Sequence, residues 1–331
     1  MQRKLLFIHQ GAIGDIVSLF PAIIKLKEKF KQIDAICNKS IGELACLLRL
    51  TDKTYPVQAA FFSSIFSNNA DPVVSKILRS YDEIILFSYS NEVEKTISSI
   101  IKKRIYRIPP RPDATLQIHI LDYILKLLAQ YNLVENDSLP EKEYHDYLKK
   151  EIGNTKAQDN DSKIIMHPGS GSTRKNWPAS NFIKVCRNLE SKKICYEIII
   201  GPAEYDLEKY FKKHLPSNSI IHTPASLLEL VPLLKQSSGF IGNDSGISHL
   251  AAFMGIPAIV IFGPSDPKRW KPFGRFVKVI QSQTDCMPCF ETGKSDCKEI
   301  KCLSDITPAT VIDTLYIDFL YSSMLKHNIV S

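Results

Sequence analysis

The sequence KLLFIHQGAIGD at residues 4–15 sets the predicted fold class. Lys4–His9 is an apolar run of strand length, and the glycine-containing loop after it ends at Asp15. Apolar residues then follow at helical spacing and predict a helix that begins near Asp15, namely Ile16, Leu19, Phe20, Ile23, Ile24 and Leu26. Strand, glycine loop and helix in this order indicate an α/β domain with a parallel sheet.

The second half of the chain opens in the same way, with KIIMHPGSGS at residues 163–172. Apolar runs typical of buried strands recur elsewhere, at residues 84–87, 197–200, 239–242 and 258–262. The polar stretch EIGNTKAQDNDS at 151–162 has the composition of a linker between domains. We therefore predict two Rossmann-like lobes, residues 1–153 and 154–306. Residues 307–331 are predicted to include a helix that packs back across the lobes.

Composition places the chain among folded globular proteins. Of its 331 residues 44% are hydrophobic, which excludes a disordered chain, a collagen or a small disulfide scaffold. The net charge of +7 favours anionic ligands but is too diffuse to indicate a nucleic-acid partner. Neither a membrane-spanning run nor a signal-peptide core is evident, so the sequence predicts a cytoplasmic protein with reduced thiols.

Asp15 has two interpretations. The GAIGD loop at residues 11–15 lacks the third glycine of a dinucleotide-binding fingerprint, so an NAD site is weakly supported. A carboxylate at a helix start commonly accepts hydrogen bonds from the unpaired amides of the first turn. The same carboxylate, carried into a ligand site by a glycine turn, is suited to act as a general base.

A second glycine-containing loop, HPGSGSTRKNWP at residues 167–178, collects groups that bind phosphate. Its glycines allow close backbone approach, Ser172 and Thr173 supply hydroxyls, and Arg174 and Lys175 supply positive charge. These groups predict a diphosphate site. The alternative is a solvated basic turn in which Trp177 anchors the loop in the core.

A third segment, GNDSGISH at residues 242–249, places a polar turn between a strand and a helix. The unpaired amides and partial positive charge of a helix N-terminus suit an anionic group. The alternative is ordinary capping by Asp244 or Ser245, with His249 buried. The related loop FGPSDP at residues 262–267 follows the next strand, and such folds bind ligands at these strand ends.

Together, GAIGD, HPGSGSTRKNWP, NDSGISHLAAFMGIP at residues 243–257 and FGPSDP resemble the motifs of glycosyltransferase family 9, the ADP-heptose:lipopolysaccharide heptosyltransferases. The resemblance covers nearly the whole chain. It implies an α/β GT-B fold, in which two Rossmann-like lobes with parallel sheets face each other across a cleft. The N-terminal lobe would bind the acceptor and the C-terminal lobe the nucleotide-sugar.

The resemblance also implies a role for individual residues. Asp15 matches the catalytic base, Lys175 the lysine that contacts the donor phosphate, and Glu204 an acid that binds ribose hydroxyls. The full set of implied donor-binding residues is Gly14, Ser170, Ser172, Thr173, Glu204, Ala225, Leu227, Asp244, Ser245, Gly246 and His249, with Ala225 and Leu227 near the adenine. The implied reaction is inverting transfer of heptose from ADP-heptose, with no cofactor needed for catalysis.

The acceptor implied by the family is an anionic lipopolysaccharide inner core, reached at the inner face of the inner membrane by peripheral contact. Basic residues that suit such an acceptor are Arg104, Arg107 and Arg111, although charge runs of this kind are also typical of a solvated face. The alternatives are another nucleotide-sugar, a protein acceptor, or a nucleotide-sugar-binding protein without catalytic activity.

Four cysteines, Cys286, Cys289, Cys297 and Cys302, have spacing typical of a structural tetrahedral metal site for zinc or iron. Partly buried free thiols or a redox-labile pair are the alternatives.

Overall fold

The computed structural model describes residues 3–66, 71–153, 163–284, 288–291, 297 and 300–317. The chain divides into two compact units, residues 1–153 and 154–331. The division falls inside the polar stretch 151–162, most of which lies outside the described residues. Within those residues, no helix is long and apolar enough to cross a membrane.

The first unit is built on a parallel five-stranded sheet with the order β3-β2-β1-β4-β5. The strands are β1 (Lys4–His9), β2 (Gln32–Cys37), β3 (Lys53–Pro56), β4 (Glu83–Phe87) and β5 (Arg104–Ile108). The helices are α1 (Ile13–Val17), α2 (Phe20–Leu26), α3 (Lys39–Leu47), α4 (Pro72–Arg79), α5 (Asn91–Ile100), α6 (Ile120–Gln130) and α7 (Glu141–Tyr147). The strand order reverses between β1 and β4, so the β1 loop lies at the switch point where such sheets bind ligands.

The second unit is built on a parallel six-stranded sheet with the order β11-β10-β9-β6-β7-β8. The strands are β6 (Lys163–His167), β7 (Cys195–Ile199), β8 (Ile220–His222), β9 (Gly239–Asn243), β10 (Ala258–Phe262) and β11 (Val277–Gln281). The helices are α8 (Ala179–Ser191), α9 (Tyr205–His214), α10 (Leu230–Lys235), α11 (Gly246–Phe253), α12 (Pro267–Trp270), α13 (Lys301–Ser304) and α14 (Pro308–Leu315). Here the strand order reverses between β6 and β9.

The central strands are apolar because helices cover both faces of each sheet. Every residue of β4, β9 and β10 is buried, as parallel sheets require. In the second unit, the Trp177 ring packs edge-on against Phe182 with ring centres 5.0 Å apart. Its indole Nε1 donates to the Ile306 carbonyl oxygen at 2.9 Å, so Trp177 is a core anchor of the loop that carries Lys175.

The single helix predicted to begin near Asp15 and continue to Leu26 is wrong, because α1 ends at Val17 and α2 begins at Phe20. Pro21 explains the break. In a continuous helix its ring would clash with the carbonyl four residues earlier, whereas the first turn of a new helix accepts proline.

Helix α14 begins where the sequence predicts, with Thr307 as its N-cap. Its described part packs on the second unit, where the Tyr316 hydroxyl donates to Asn188 Oδ1 at 3.0 Å. Residues 318–331 lie outside the described part of the chain, so packing across the lobes stays a prediction.

Candidate functional site

Asp15 lies in the first turn of α1, directly after the glycine loop that follows β1. Ala12 is the N-cap residue, and its amide donates to Asp15 Oδ2 at 3.1 Å. Asp15 is thus not the N-cap residue that the capping interpretation expects, but the third residue of α1, whose carboxylate reaches back to the unpaired amide of the N-cap residue. Gly14 lies beside it in the same turn, whereas every other predicted donor-binding residue belongs to the second unit.

Arg111 forms a two-pronged ion pair with Asp15. Its Nε donates to Oδ1 at 2.9 Å and its Nη2 donates to Oδ2 at 2.8 Å, across 96 residues of sequence. The Asp15 side chain is only 9% exposed, whereas that of Arg111 is 48% exposed. A fork of this kind fixes the plane of a carboxylate as well as compensating its charge.

The other two arginines predicted for the acceptor are not brought to Asp15. Arg107 Nε donates to Glu94 Oε2 at 2.7 Å. Arg104 begins β5, at the amino end of the sheet, whereas the Asp15 loop follows the carboxyl end of β1. Four residue steps along a strand span about 13 Å, so Arg104 is remote from this loop.

His9 is a buried residue of this site that the sequence prediction did not include. It ends β1, and its Nδ1 accepts a hydrogen bond from the Gly11 amide at 2.8 Å. Burial lowers the imidazole pKa to about 4, against an opposing effect of the Asp15 charge. Its Nε2 is buried with no hydrogen-bond partner among the described residues. The sequence did carry a signal for His9: it is a polar residue at the end of an otherwise apolar strand, just before a glycine loop.

In the second unit, Lys175 and Asp244 meet at the switch point between β6 and β9. Lys175 Nζ lies 2.7 Å from Asp244 Oδ2, although 69 residues separate them in sequence. The Asp244 side chain is 5% exposed and that of Lys175 is 20% exposed. Asn243 holds the two loops together, because its amide accepts from Trp177 N at 3.0 Å and donates to the Pro168 carbonyl oxygen at 2.7 Å.

The loop before Lys175 is held in shape by hydrogen bonds of one of its own side chains, the Ser170 hydroxyl group. Ser170 Oγ lies 2.6 Å from the Ser172 carbonyl oxygen and 2.7 Å from Asn176 Oδ1. Thr173–Lys175 then forms a turn of 3₁₀ helix in which Thr173 is exposed and Ser172 precedes it as a half-buried residue. Ser170 therefore shapes the loop; Ser170 and Ser172 are both half-buried, and Thr173 is exposed.

Helix α11 begins at Gly246, two residues after Asp244, and is capped by Ser245, whose Oγ accepts from the Ser248 amide at 3.2 Å. Gly246 is its first residue, so the positive end of the helix dipole adjoins the Lys175–Asp244 pair. His249 is buried, with Nε2 4.0 Å from Asp244 Oδ1. Ser245 is thus the N-cap residue, as the capping interpretation expects. The N-terminus of α11 also lies close to a cation, the Lys175 ammonium group.

Glu204 follows β7 in a short 3₁₀ turn and lies against the Lys175 loop. Its Oε2 accepts from the Gly201 amide at 2.9 Å, and a Cβ built on Gly169 would lie 1.7 Å from Oε1. Burial raises the pKa of Glu204, while hydrogen bonds from the Gly201 and Ser170 amides act in the opposite direction. The Glu204 carboxylate can therefore occupy this position only because residue 169 is a glycine and has no Cβ.

His167 links the two sides of this site. Its Nδ1 lies 3.4 Å from Ser245 Oγ, and its Nε2 lies 3.8 Å from Glu204 Oε2. Burial lowers the pKa of His167 to about 4.

The remaining predicted donor residues follow β8. Ala225 is exposed and its amide donates to Glu229 Oε2 at 3.3 Å, whereas Leu227 is half-buried at the start of a 3₁₀ turn. The strand ends that carry Asp244, Lys175, Glu204 and Ala225 are thus those of β9, β6, β7 and β8, which are consecutive in the sheet.

The predicted metal ligands are only partly described. Cys286 lies outside the described residues, Cys289 is half-buried, Cys297 is exposed and Cys302 is buried. Within the described ranges, no group of three or more His, Cys, Asp and Glu side chains is placed to hold a metal ion.

Comparison with known proteins agrees with this architecture. The family model for glycosyltransferase family 9 (heptosyltransferase) matches residues 92–299. The chain is 26% identical over 330 residues to lipooligosaccharide heptosyltransferase 2 of Campylobacter jejuni, covering 94% of this chain and 98% of the relative.

Two solved structures share the fold. One is the ADP-heptose lps heptosyltransferase II of Escherichia coli, with a TM-score of 0.69, 16% identity and coverage of 97% of this chain and 99% of the other. The second is the dodecameric iron-containing heptosyltransferase TibC of enterotoxigenic Escherichia coli in complex with ADP-D-β-D-heptose. Its TM-score is 0.58 at 16% identity, covering 95% of this chain and 76% of TibC. The predicted α/β GT-B fold is confirmed.

Proposed function

The chain belongs to glycosyltransferase family 9, the heptosyltransferases, and we propose that it transfers heptose from ADP-heptose to a hydroxyl group of an anionic lipopolysaccharide or lipooligosaccharide core. The names of the two solved structures support ADP-heptose as the donor, and the names of the Campylobacter jejuni relative and of heptosyltransferase II support the acceptor class. The observation that carries the proposal is the meeting of Lys175, Asp244 and the start of α11 at the switch point of the second sheet.

We propose that this switch point binds the diphosphate of ADP-heptose. Lys175 supplies a positive charge, unpaired amides at the start of α11 supply donors suited to an anion, and Ser172 and Thr173 supply hydroxyls. These groups stabilise the negative charge that grows on ADP as its bond to the sugar breaks. Glu204 is proposed to bind the ribose hydroxyls, with Ala225 and Leu227 near the adenine.

Asp15 is proposed as the general base. The acceptor hydroxyl oxygen attacks the anomeric carbon, the bond from that carbon to the phosphate oxygen breaks, and the hydroxyl proton moves to the Asp15 carboxylate. Attack opposite the leaving ADP inverts the configuration. Arg111 and the Ala12 amide hold both carboxylate oxygens, so the position of the base is set before the acceptor binds. Arg111, being half exposed, is also the arginine proposed to meet an anionic acceptor.

We also propose that the four cysteines hold a structural zinc or iron ion. Their spacing supports this, as does the iron content of TibC, and no step of the transfer passes through the ion. A cytoplasmic location, with peripheral contact to the inner face of the inner membrane, is proposed from the acceptor class alone.

The test begins with a thermal-stabilisation screen of nucleotide-sugars, in which ADP-heptose is expected to stabilise the protein most. The donor so identified is then incubated with truncated lipopolysaccharide cores, and the expected product is heavier by one heptose residue in mass spectrometry. Donor binding without acceptor-dependent release of ADP would contradict the proposed transfer and favour a non-catalytic binding protein. Preference for another nucleotide-sugar would contradict the proposed donor.

A further inference from the structure

Phe290, in the cysteine-containing segment, lies against the two basic residues of the phosphate loop. Lys175 Nζ is 4.4 Å from the centre of the Phe290 ring, and the Arg174 guanidinium carbon is 5.4 Å from it. Both distances are within the range in which the electron-rich face of an aromatic ring attracts a cation. One aromatic side chain therefore faces both cations next to the proposed diphosphate.

The segment that carries Phe290 is docked on the loop after β10. The amides of Cys289 and Phe290 both donate to the Pro264 carbonyl oxygen, at 2.9 and 3.0 Å. Glu291 then pairs with the buried Arg269, with Oε2 3.0 Å from Nε. Because the residues on both sides of the ring are anchored to the second unit, the ring position is set by the fold rather than by the basic residues it contacts.

The ring and Asp244 hold Lys175 in different ways. Asp244 accepts one N–H of the ammonium group at 2.7 Å. A lysine ammonium has three N–H groups, and a ring face attracts the charge without requiring a directed hydrogen bond from each of them. The Phe290 ring and Asp244 can thus together restrain the Lys175 ammonium group, while its other N–H groups stay available for phosphate oxygens.

We propose that Phe290 is a positioning residue for the donor, whose ring holds Lys175 and Arg174 where the diphosphate of the nucleotide-sugar binds. This inference rests on the proposed function, since it takes the ligand of Lys175 to be a diphosphate. It also gives the cysteine-containing segment a role at the donor site that needs no contact between the cysteines and the substrate.

The experiment compares binding of ADP and of adenosine by titration calorimetry to the full chain and to Phe290→Leu. Loss of a cation–π contact corresponds to a weakening of about 2–30-fold, and we expect it for ADP but not for adenosine, which has no phosphate. Phe290→Tyr keeps the ring face and should bind ADP like the unaltered protein. Phe276→Leu is the matched control, because its ring also lies under an arginine, Arg275, in the same unit.

A second variant pair tests the route of the effect. In a Lys175→Met background, Phe290→Leu should weaken ADP binding less than it does in the unaltered protein, since one of the two cations is gone. Equal ADP affinity of Phe290→Leu and the unaltered protein would overturn the inference, and so would an equal loss for ADP and adenosine, which indicates general damage to the fold. Failure of the unaltered protein to bind ADP would instead contradict the proposed function, and this inference with it.

Discussion

Replacement of His167 by asparagine should make the second unit less sensitive to acid. Burial lowers the pKa of the His167 imidazole to about 4, from 6.5 for a free side chain. The folded protein thus binds fewer protons than the unfolded chain between these values, so the stability from this group is complete above pH 6.5 and is lost as the pH falls toward 4. The difference of about 2.5 pKa units corresponds to about 2 kcal/mol lost by pH 5 and about 3 kcal/mol by pH 4.

The assay is urea unfolding followed by tryptophan fluorescence at several pH values from 7.5 to 5. Both tryptophans of the chain, Trp177 and Trp270, lie in the second unit, so the signal reports on that unit alone. Asparagine does not titrate, and the free energy of unfolding of His167→Asn should therefore fall by about 2 kcal/mol less than that of the unaltered protein. Glu204, whose Oε2 lies 3.8 Å from His167 Nε2, is present in both proteins.

Ser245→Ala is the control for this experiment. It removes the hydroxyl 3.4 Å from His167 Nδ1 and the cap of α11, yet it keeps the titrating group. It should lower stability by about 1 kcal/mol at every pH while leaving the pH slope unchanged. Parallel pH curves for His167→Asn and the unaltered protein would mean that burial does not hold His167 neutral, and would contradict this prediction.

Three further predictions concern the two sites. Lys175→Met should weaken ADP binding about tenfold or more and leave adenosine binding unchanged, because a charge-assisted contact to phosphate is lost; Lys184→Met, an exposed lysine of α8, is the control in the same calorimetric titration. Gly169→Ala should push the Glu204 carboxylate from its place, since the new Cβ would lie 1.7 Å from Oε1, and should weaken adenosine binding but not adenine binding; equal affinities for adenosine in both proteins would contradict a ribose-binding Glu204. Arg111→Lys should lower kcat about tenfold, because lysine cannot form the two-pronged pair that orients Asp15; a change confined to the KM of the acceptor would instead assign Arg111 to acceptor binding alone.

Six of the eleven described strands, β1, β4, β6, β7, β9 and β10, were predicted, because each contains a short apolar run; the other five, β2, β3, β5, β8 and β11, were not. Lys4–His9, Lys163–His167 and Ala258–Phe262 have the bounds that the sequence indicates. The helix after Asp15 was predicted as one segment because apolar spacing continues through the break. Pro21 was the signal against it, since proline is accommodated at a helix start and not in the middle of one.

Contacts between distant parts of the chain set the site geometry, and periodicity carries no information about them. Asp15 and Arg111 pair across 96 residues of sequence. Arg111 reaches Asp15 because it follows the carboxyl end of β5, whereas Arg104 lies at the start of the same strand. The Phe290 ring lies against Lys175 through a segment that the sequence singles out only for its cysteines. Residue type and motif therefore identified the candidate loops, whose function stays a prediction, while the side-chain pairs within them could be seen only in the structure.

Acceptor-dependent release of ADP from ADP-heptose shows whether the chain transfers a sugar with Asp15 as the base. Asp15→Asn keeps the size of the side chain but removes the proton acceptor, with Asp122→Asn, an exposed residue of α6, as the control. We expect Asp15→Asn to bind ADP as the unaltered protein does while kcat falls about 100-fold or more. Unchanged turnover in Asp15→Asn would contradict the assignment of Asp15 as the base.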